Sequence, residues 1–411
     1  MAVLLESDKE YDLPKMYKIR QVFPNEELKN ITEEISCKMN SPEIYSKIRP
    51  DMHVAVCVGS RGIKNLFTIV SAVVNGLLER KAKPFILSAM GSHGDGTEEG
   101  QKEILAGYGI TEDRLHVPIV TQIGVQKIAA LSNGTPLFFD EAAIRADLIV
   151  PINRIKIHTD FVGDIQSGLC KMLVIGLGNQ KGCSTVHEED PTNFSKIIEE
   201  GAGVIIEKMK VGFGVAIVEN AYDKTACVDV IAGEKIISGE KELLKKAKKY
   251  MPFIRLPSID ILVMQEIGKN ISGAGYDPNI VGRSSVLKEF TIPFPKIEKM
   301  ILLDITESSH GNGIGIGLFD VITKNVFAKL DFRAMYTNAV ACKCIEDVKI
   351  PLMADDEEEA VRIAVKTTRN LNKKKLKVVR IKNTLELEYI EVSEALLPEI
   401  GNNEYLNLIG T

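Results

Sequence analysis

The sequence predicts an α/β protein built of two α/β domains, the first of them around a largely parallel sheet. Three observations carry this. The first half repeatedly sets a short apolar run against a glycine or polar turn and then a helical pattern, the alternation expected of βαβ units. A Pro-bearing connection near 250–258 separates that region from a second one that begins with a new strand. At 411 residues the chain is also long enough for two domains.

In chain order, HVAVCVGSRGIKN (53–65) reads as a strand running into a glycine-bearing loop, and IVSAVVNGLLERK as the helix after it. PFILSAMGSHGDGTEEG (84–100) is the next strand and loop, followed by TEEGQKEILAGYG as a helix with a glycine stop. DEAAIRA is a helix ahead of the apolar strand DLIVPI. PTNFSKIIEEGAGVIIEKM (191–209) is a helix expected to break near Gly201 and Gly203, and VGFGVAIVEN is a strand. After the helical ELLKKAKKYMPFIRLP, IDILVMQEIG opens the second region. There ILLDITESSHGNGIGIGLFDVI gives a strand, a glycine-rich loop and a helix start, and AVRIAVKTTRNL gives a helix. The expected division is 1–255, completed by 386–411, and 256–385. No internal repeat or low-complexity tract interrupts it.

Hydrophobic content of 45% and charged content of 26% are those of an ordinary globular chain. No apolar run approaches the ~20 residues that cross a bilayer, and the start, MAVLLESDKEYDLP, does not read as a signal peptide; a cytoplasmic, membrane-free protein is expected. With 51 basic against 56 acidic residues, a general nucleic-acid binder is disfavoured. NKKKLKVVRIK (372–382) reads as a solvated edge strand rather than a phosphate-binding patch. Seven cysteines, an odd number without zinc-ligand spacing, read as reduced thiols.

Ligands of open parallel sheets bind at loops leaving the carboxyl ends of strands. Two such loops carry chemistry: GSRG with Arg61, and GSHG with His93. A guanidinium fork holds carboxylate or phosphate, and a histidine exchanges protons near neutral pH; a helix-capping arginine and a loop-satisfying histidine are the plain alternatives. IHTDFVGDIQSGLCKMLVIGLGNQKGCSTVH (157–187) places His158 and His187 around Lys171. Among small apolar neighbours that lysine either snorkels or is neutral enough to act as a nucleophile. His158 and His187 are two metal ligands, or one ligand and one base. Asp160 and Asp164 orient an imidazole, bind metal, or are turn acids. In GKNISGAGYDPNIVGR (268–283), Lys269, Asp277 and Arg283 are candidates for closing over an acidic ligand, with ordinary salt bridges as the alternative. His53 and His116 read as structural, and His310 as an outside candidate. Together the residues describe an α/β enzyme that binds an anion and moves protons.

GSR at 59–61, GSHGDGTEEG at 91–100, His158, SGLCK ending at Lys171, and a histidine sixteen residues later at His187 together resemble the nickel-dependent lactate racemase family. The resemblance implies two α/β domains with the active site in the cleft between them, and racemisation or epimerisation at C2 of a small 2-hydroxy acid. The implied cofactor is a nickel pincer nucleotide, a pyridinium mononucleotide whose sulfur groups grip the metal, supplied by cofactor-synthesis enzymes. It puts covalent cofactor attachment on Lys171, nickel ligation on His187, the acid/base pair on His93 and His158, and anion holding on Arg61. Hydride passes from C2 to the cofactor and back while the two histidines serve opposite faces. The twelve residues between His158 and Lys171, the absence of tryptophan and the GKNISGAGYDPN loop depart from the lactate enzymes. These departures imply a larger or more polar hydroxy acid than lactate. Two other classes remain as alternatives: a divalent-metal lyase or hydrolase, and a non-catalytic binder of an anionic metabolite or nucleotide.

Overall fold

The computed structural model describes residues 4–60, 62–369 and 371–410; Arg61 lies outside the described residues. Contacts divide the chain into two compact units, Pro24–Met251, and Met1–Phe23 with Pro252–Thr411.

The unit Pro24–Met251 holds a six-stranded sheet in the order Ile119–Val120, Lys83–Ser88, His53–Val58, Leu148–Arg154, Phe213–Glu219, Thr225–Ala232. All neighbours are parallel except the last pair. Both faces are covered, which explains why the strands read as unbroken apolar runs rather than alternations. Along His53–Val58, Val54, Val56 and Val58 enter one core with Ile69, Val73 and Leu77 of the helix Leu66–Glu79. Ala55 and Cys57 enter the opposite core with Leu169, Leu173 and Val174. The segment around Lys171 is thus seated on one face of the sheet by its own apolar neighbours.

A hairpin, Val125–Ala130 with Pro136–Asp140, was not expected from periodicity. Its turn was nonetheless signalled by Asn133-Gly134, with Gly134 at φ +89° and the Leu131 N–H bonded to the Thr135 carbonyl. The expected break at Gly201 and Gly203 does not occur: Phe194–Lys208 is one helix. Gly201 serves packing instead, since a Cβ there would sit 3.0 Å from Val174 Cγ2.

The second unit holds an eight-stranded mixed sheet ordered Leu352–Ala354, Val321–Thr323, Lys296–Ile305, Ser258–Ile267, Val378–Ile381, Tyr389–Ser393, Met16–Gln21, Leu406–Gly410. The run after the lysine cluster is not an edge: Val378–Ile381 pairs parallel with Ser258–Ile267 and antiparallel with Tyr389–Ser393. The lysines lie in the exposed turn before it. Residues 16–21 and 389–410 belong to this sheet too, because Met16–Gln21 is sandwiched between Tyr389–Ser393 and Leu406–Gly410. The C-terminal segment therefore completes the second unit rather than the first. Where a helix start was expected after the glycine-rich loop, the chain forms the short strand Val321–Thr323, and Thr323 then caps the helix Lys324–Ala328. No helix among the described residues is long and apolar enough to cross a membrane.

Candidate active site

The loop 157–167 leaves the strand Leu148–Arg154 at its carboxyl end and is closed at its base, where Lys156 and Ser167 exchange backbone hydrogen bonds of 3.0 and 3.1 Å. Phe161 and Ile165 are buried and pin it to the core. The His158 N–H donates to the buried Gln166 Oε1 at 2.7 Å, and Gln166 Nε2 donates to the Gly163 carbonyl. The segment ahead of Lys171 is thus a pinned loop. It places the His158 ring against Phe161, stacked at 4.2 Å and 28°. The Asp160 backbone N–H donates to His158 Nδ1 at 3.0 Å, and the Asp160 carboxylate lies 3.9 Å from the same nitrogen.

Lys171 ends the short helix Leu169–Lys171, after which Met172–Gly176 widens into a π-helical turn, a form frequent at functional sites. Its amine contacts His158 Nε2 and lies 5.6 Å from the Phe161 ring centroid. Below it, Glu240 is fully buried and accepts the Cys170 N–H at 2.8 Å, supplying an acceptor to an otherwise unpaired helix start. Gly168 makes room for this, since a Cβ there would meet Glu240 Oε1 at 2.4 Å. Burial pushes the Glu240 carboxyl up to about 7.

His187 closes the helix Asn179–His187. Its Nδ1–H donates to the Cys183 carbonyl at 2.7 Å, which directs Nε2 outward, the orientation usual for metal-binding histidines. Phe194 packs edge-on against the ring at 5.4 Å, and Phe194 in turn meets Phe161 at 5.6 Å. His158, Lys171 and His187 are therefore arranged around one Phe161–Phe194 pair. Cys183 Sγ lies 3.6 Å from His187 Nδ1 and 3.6 Å from Ser92 Oγ. Contact with Cys183 raises the proton affinity of His187 against the opposing effect of burial. Burial pushes the Cys183 thiol up, but His187 and Ser92 outweigh it and hold the thiol below its ordinary value.

Ser92 also brings in the loop that carries His93. The Gly91 N–H donates to the Gly176 carbonyl at 3.0 Å, tying the two loops together. The buried Gln101 accepts from Ser88 Oγ at 2.6 Å and donates to the Gly91 carbonyl at 3.4 Å. His93 is exposed, and its Nδ1 contacts Ser60 Oγ. Ser60 is itself held through its carbonyl by the Tyr108 hydroxyl at 2.7 Å.

The second-unit candidates have structural partners. Arg283 donates to Asp320 at 2.7 Å and to the Leu318 and Glu298 carbonyls at 3.1 and 2.9 Å. Lys269 Nζ donates to the Gly273 carbonyl at 2.8 Å and to Asn338 Oδ1 at 2.6 Å. Asp277 caps the helix Pro278–Val281 through the Asn279 N–H. His116 and His310 sit in left-handed backbone at helix ends, and His53 begins its strand. Sequence reasoning missed Cys183, Glu240, Phe161 and Phe194. The i,i+4 spacing of Cys183 and His187 on a helix was the one signal available for them. No group of three or more His, Cys, Asp or Glu side chains that could hold a metal ion occurs among the described residues.

These features define an α/β protein with a histidine–lysine–histidine cluster at strand-end loops. Residues 6–195 match the family described as the lactate racemase N-terminal domain, a span that includes His93, His158, Lys171 and His187. The chain is similar to the lactate racemase family over that span. Its fold is similar to that of the lactate racemase apoprotein from Thermoanaerobacterium thermosaccharolyticum, with a TM-score of 0.55 over 91% of this chain and 99% of that one, at 13% identity. No curated protein matches the chain.

Proposed function

We propose that this chain is a racemase or epimerase acting at C2 of a 2-hydroxy acid with a nickel pincer nucleotide. What supports the reading most is the gathering of Lys171, His158 and His187 around Phe161 and Phe194, within the span that matches the family. The donor set suits such a group. A protein-only metal site takes three or more side-chain ligands, whereas a metal already gripped by a nucleotide needs one more donor, and His187 Nε2 is turned outward to be it. The same consideration weighs against a lyase or hydrolase with its metal held by His158, His187 and acids directly.

When bound, the cofactor would supply the hydride acceptor for C2. Lys171 would anchor it covalently and Arg61 would hold an anionic group. His93 and His158 would exchange the proton of the 2-hydroxyl from opposite faces. His158 Nδ1 accepts the Asp160 N–H, and Nε2 is the nitrogen that meets the Lys171 amine. Phe161 and Phe194 keep water from the amine and the rings. Lys269 and Arg283 are proposed on the substrate side. The longer loop before Lys171 fits an acid larger or more polar than lactate.

The test is intact mass and nickel content of protein produced with the cofactor-making enzymes. A covalent mass increase lost in Lys171→Ala, with nickel lost in His187→Ala, is expected. Folded protein that takes up neither mass nor nickel under those conditions would refute the reading. In a non-catalytic binder, Lys171→Ala would leave ligand affinity intact.

A further inference from the structure

Exposed apolar surface is concentrated in one stretch of the second unit. Eight of the eighteen large hydrophobic side chains that stand exposed among the described residues fall within 327–353. Phe327 and Phe332 lie 6.0 Å apart and Phe332 meets Tyr336 at 5.9 Å, so these rings form one row. Val340, 72% exposed, follows Tyr336 one turn along the helix Phe332–Cys342. The chain then passes Ile345 and Ile350, exposed as well, and enters the strand Leu352–Ala354. That strand packs against the helix Lys324–Ala328, which carries Phe327, so row and strand belong to one surface.

The surface is large for a chain that stands alone. At about 200 Å² for a large side chain in the open, the exposed fractions of these eight amount to roughly 700 Å². The largest apolar patch of a typical monomer is about 300–600 Å², and each partner in a standard interface gives up about 800 Å². The helix Phe332–Cys342 is also weakly rooted in its own unit. Met335 and Ala339 are the two buried residues of its eleven, where a helix seated on a core buries a stripe of three or four in every two turns.

The strand says what kind of partner fits. Leu352–Ala354 ends the eight-stranded sheet and pairs, parallel, with Val321–Thr323. Leu352 and Met353 are both exposed, and successive strand residues point to opposite faces. A strand laid alongside covers such an edge, whereas an element laid over one face does not. Lys349 precedes the strand and five acids, Asp355 to Glu359, follow it. Lys324, Arg380 and Arg362 pair with three of those acids, which still leaves that end net negative. A two-fold axis joins two copies of one edge antiparallel, which lays each Lys349 beside the acidic end of the other copy. Lys349 is exposed and 3.7 Å from Glu346, a surface pair that costs little to exchange. The acidic end would be repelled by an anionic lipid surface. A second copy supplies the strand, the charges and an apolar row of matching size.

We propose that this chain forms a two-fold dimer through residues 327–353, with Leu352–Ala354 of one copy laid antiparallel beside that of the other and the aromatic rows closing over the joint. The same helix carries Asn338, which accepts from Lys269 Nζ at 2.6 Å, so seating the helix steadies that lysine.

The test is sedimentation velocity of the full chain, without cofactor, from about 1 to about 200 μM. A species of twice the 45.3 kDa chain mass is expected to grow with concentration. Tyr336→Glu with Val340→Lys sets charges on the row while keeping a helix-compatible i,i+4 pair, and should weaken the dimer at least about 30-fold. Lys349→Glu, which brings acid against acid, should also weaken it, and Leu78→Glu, exposed in the other unit, should not. If the double variant does not fold, hydrogen exchange of the unsubstituted protein decides: the amides of 352–354 should slow as concentration rises. A monomer throughout, a dimer unmoved by the double variant or by Lys349→Glu, or exchange independent of concentration would each overturn the proposal. So would binding to phosphatidylcholine–phosphatidylserine vesicles in place of self-association. Neither nickel nor hydroxy acid is used, so any of these results leaves the racemase reading as it stands.

Discussion

Glu240→Gln isolates one buried proton. In the folded protein the Glu240 carboxyl is held at about 7 against an ordinary 4.5 because burial opposes its charge. The native state therefore binds this proton more tightly than the unfolded chain, and stability falls as pH rises from about 4.5 to about 7. At ~1.4 kcal/mol per pH unit, the full cost above pH 7 is about 3 kcal/mol. Glutamine keeps an acceptor for the Cys170 N–H but has no charge to desolvate. Guanidinium unfolding of both proteins at pH 5 and pH 8 tests this. Part of the cost is already present at pH 5, so the stability difference between them should move by about 2 to 3 kcal/mol in the variant's favour between the two values. Parallel stabilities at both pH values, within about 0.5 kcal/mol, would refute the claim that this carboxylate is carried at an energetic cost beneath Lys171.

Gly176→Ala sets a Cβ 2.7 Å from the Ala89 carbonyl oxygen, a backbone clash that no rotamer relieves; calorimetry should show a loss of about 2–4 kcal/mol. Asp140 accepts the Ala142 and Ala143 N–H groups at 2.7 and 3.1 Å and receives Asn179 Nδ2 at 2.8 Å. Asp140→Ala should cost about 1–2 kcal/mol in denaturant unfolding, while Asp140→Asn retains much of the cap. Burial pushes the Asp320 carboxyl up, but Arg283 and its other donors hold it below its ordinary value. Arg283→Ala should therefore lower stability by about 1–2 kcal/mol, allowing for solvent at this partly exposed pair. An unchanged melting temperature with weakened hydroxy-acid binding would instead put Arg283 on the substrate.

The sheet of the first unit was legible because both its faces are buried, so its strands appear as bare apolar runs between glycine loops. The hairpin at 125–140 was not, because Val125–Ala130 is nowhere fully buried and its register depends on one Asn-Gly turn. Gly201 misled because a glycine that lets Val174 approach looks the same in sequence as one that breaks a helix. The strand after the lysine cluster misled likewise, since charge in a flanking turn says nothing of whether the strand is paired on one side or two. Within the candidate site, the histidines and Lys171 stood out because such residues are uncommon among small apolar neighbours. Glu240 and Cys183 did not, since their parts depend on which helix packs beneath which. Arg283 was ambiguous for a physical reason: a guanidinium that clamps carbonyls and one that clamps a ligand use the same fork.

The joint between Gly91 and Gly176 bears on how this region can change over time. Gly91 holds a left-handed backbone with the Ile175 carbonyl oxygen 3.3 Å from where a Cβ would be, and Gly176 has the Ala89 carbonyl oxygen at 2.7 Å. Neither position accepts a side chain unless the other strand of the joint withdraws, and withdrawal parts the Gly91 amide from the Gly176 carbonyl. The histidine loop and the lysine turn are thus inherited as a pair: lengthening one loop alone opens the joint. Variation that adapts this chain to a new acid is channelled into segments outside the joint.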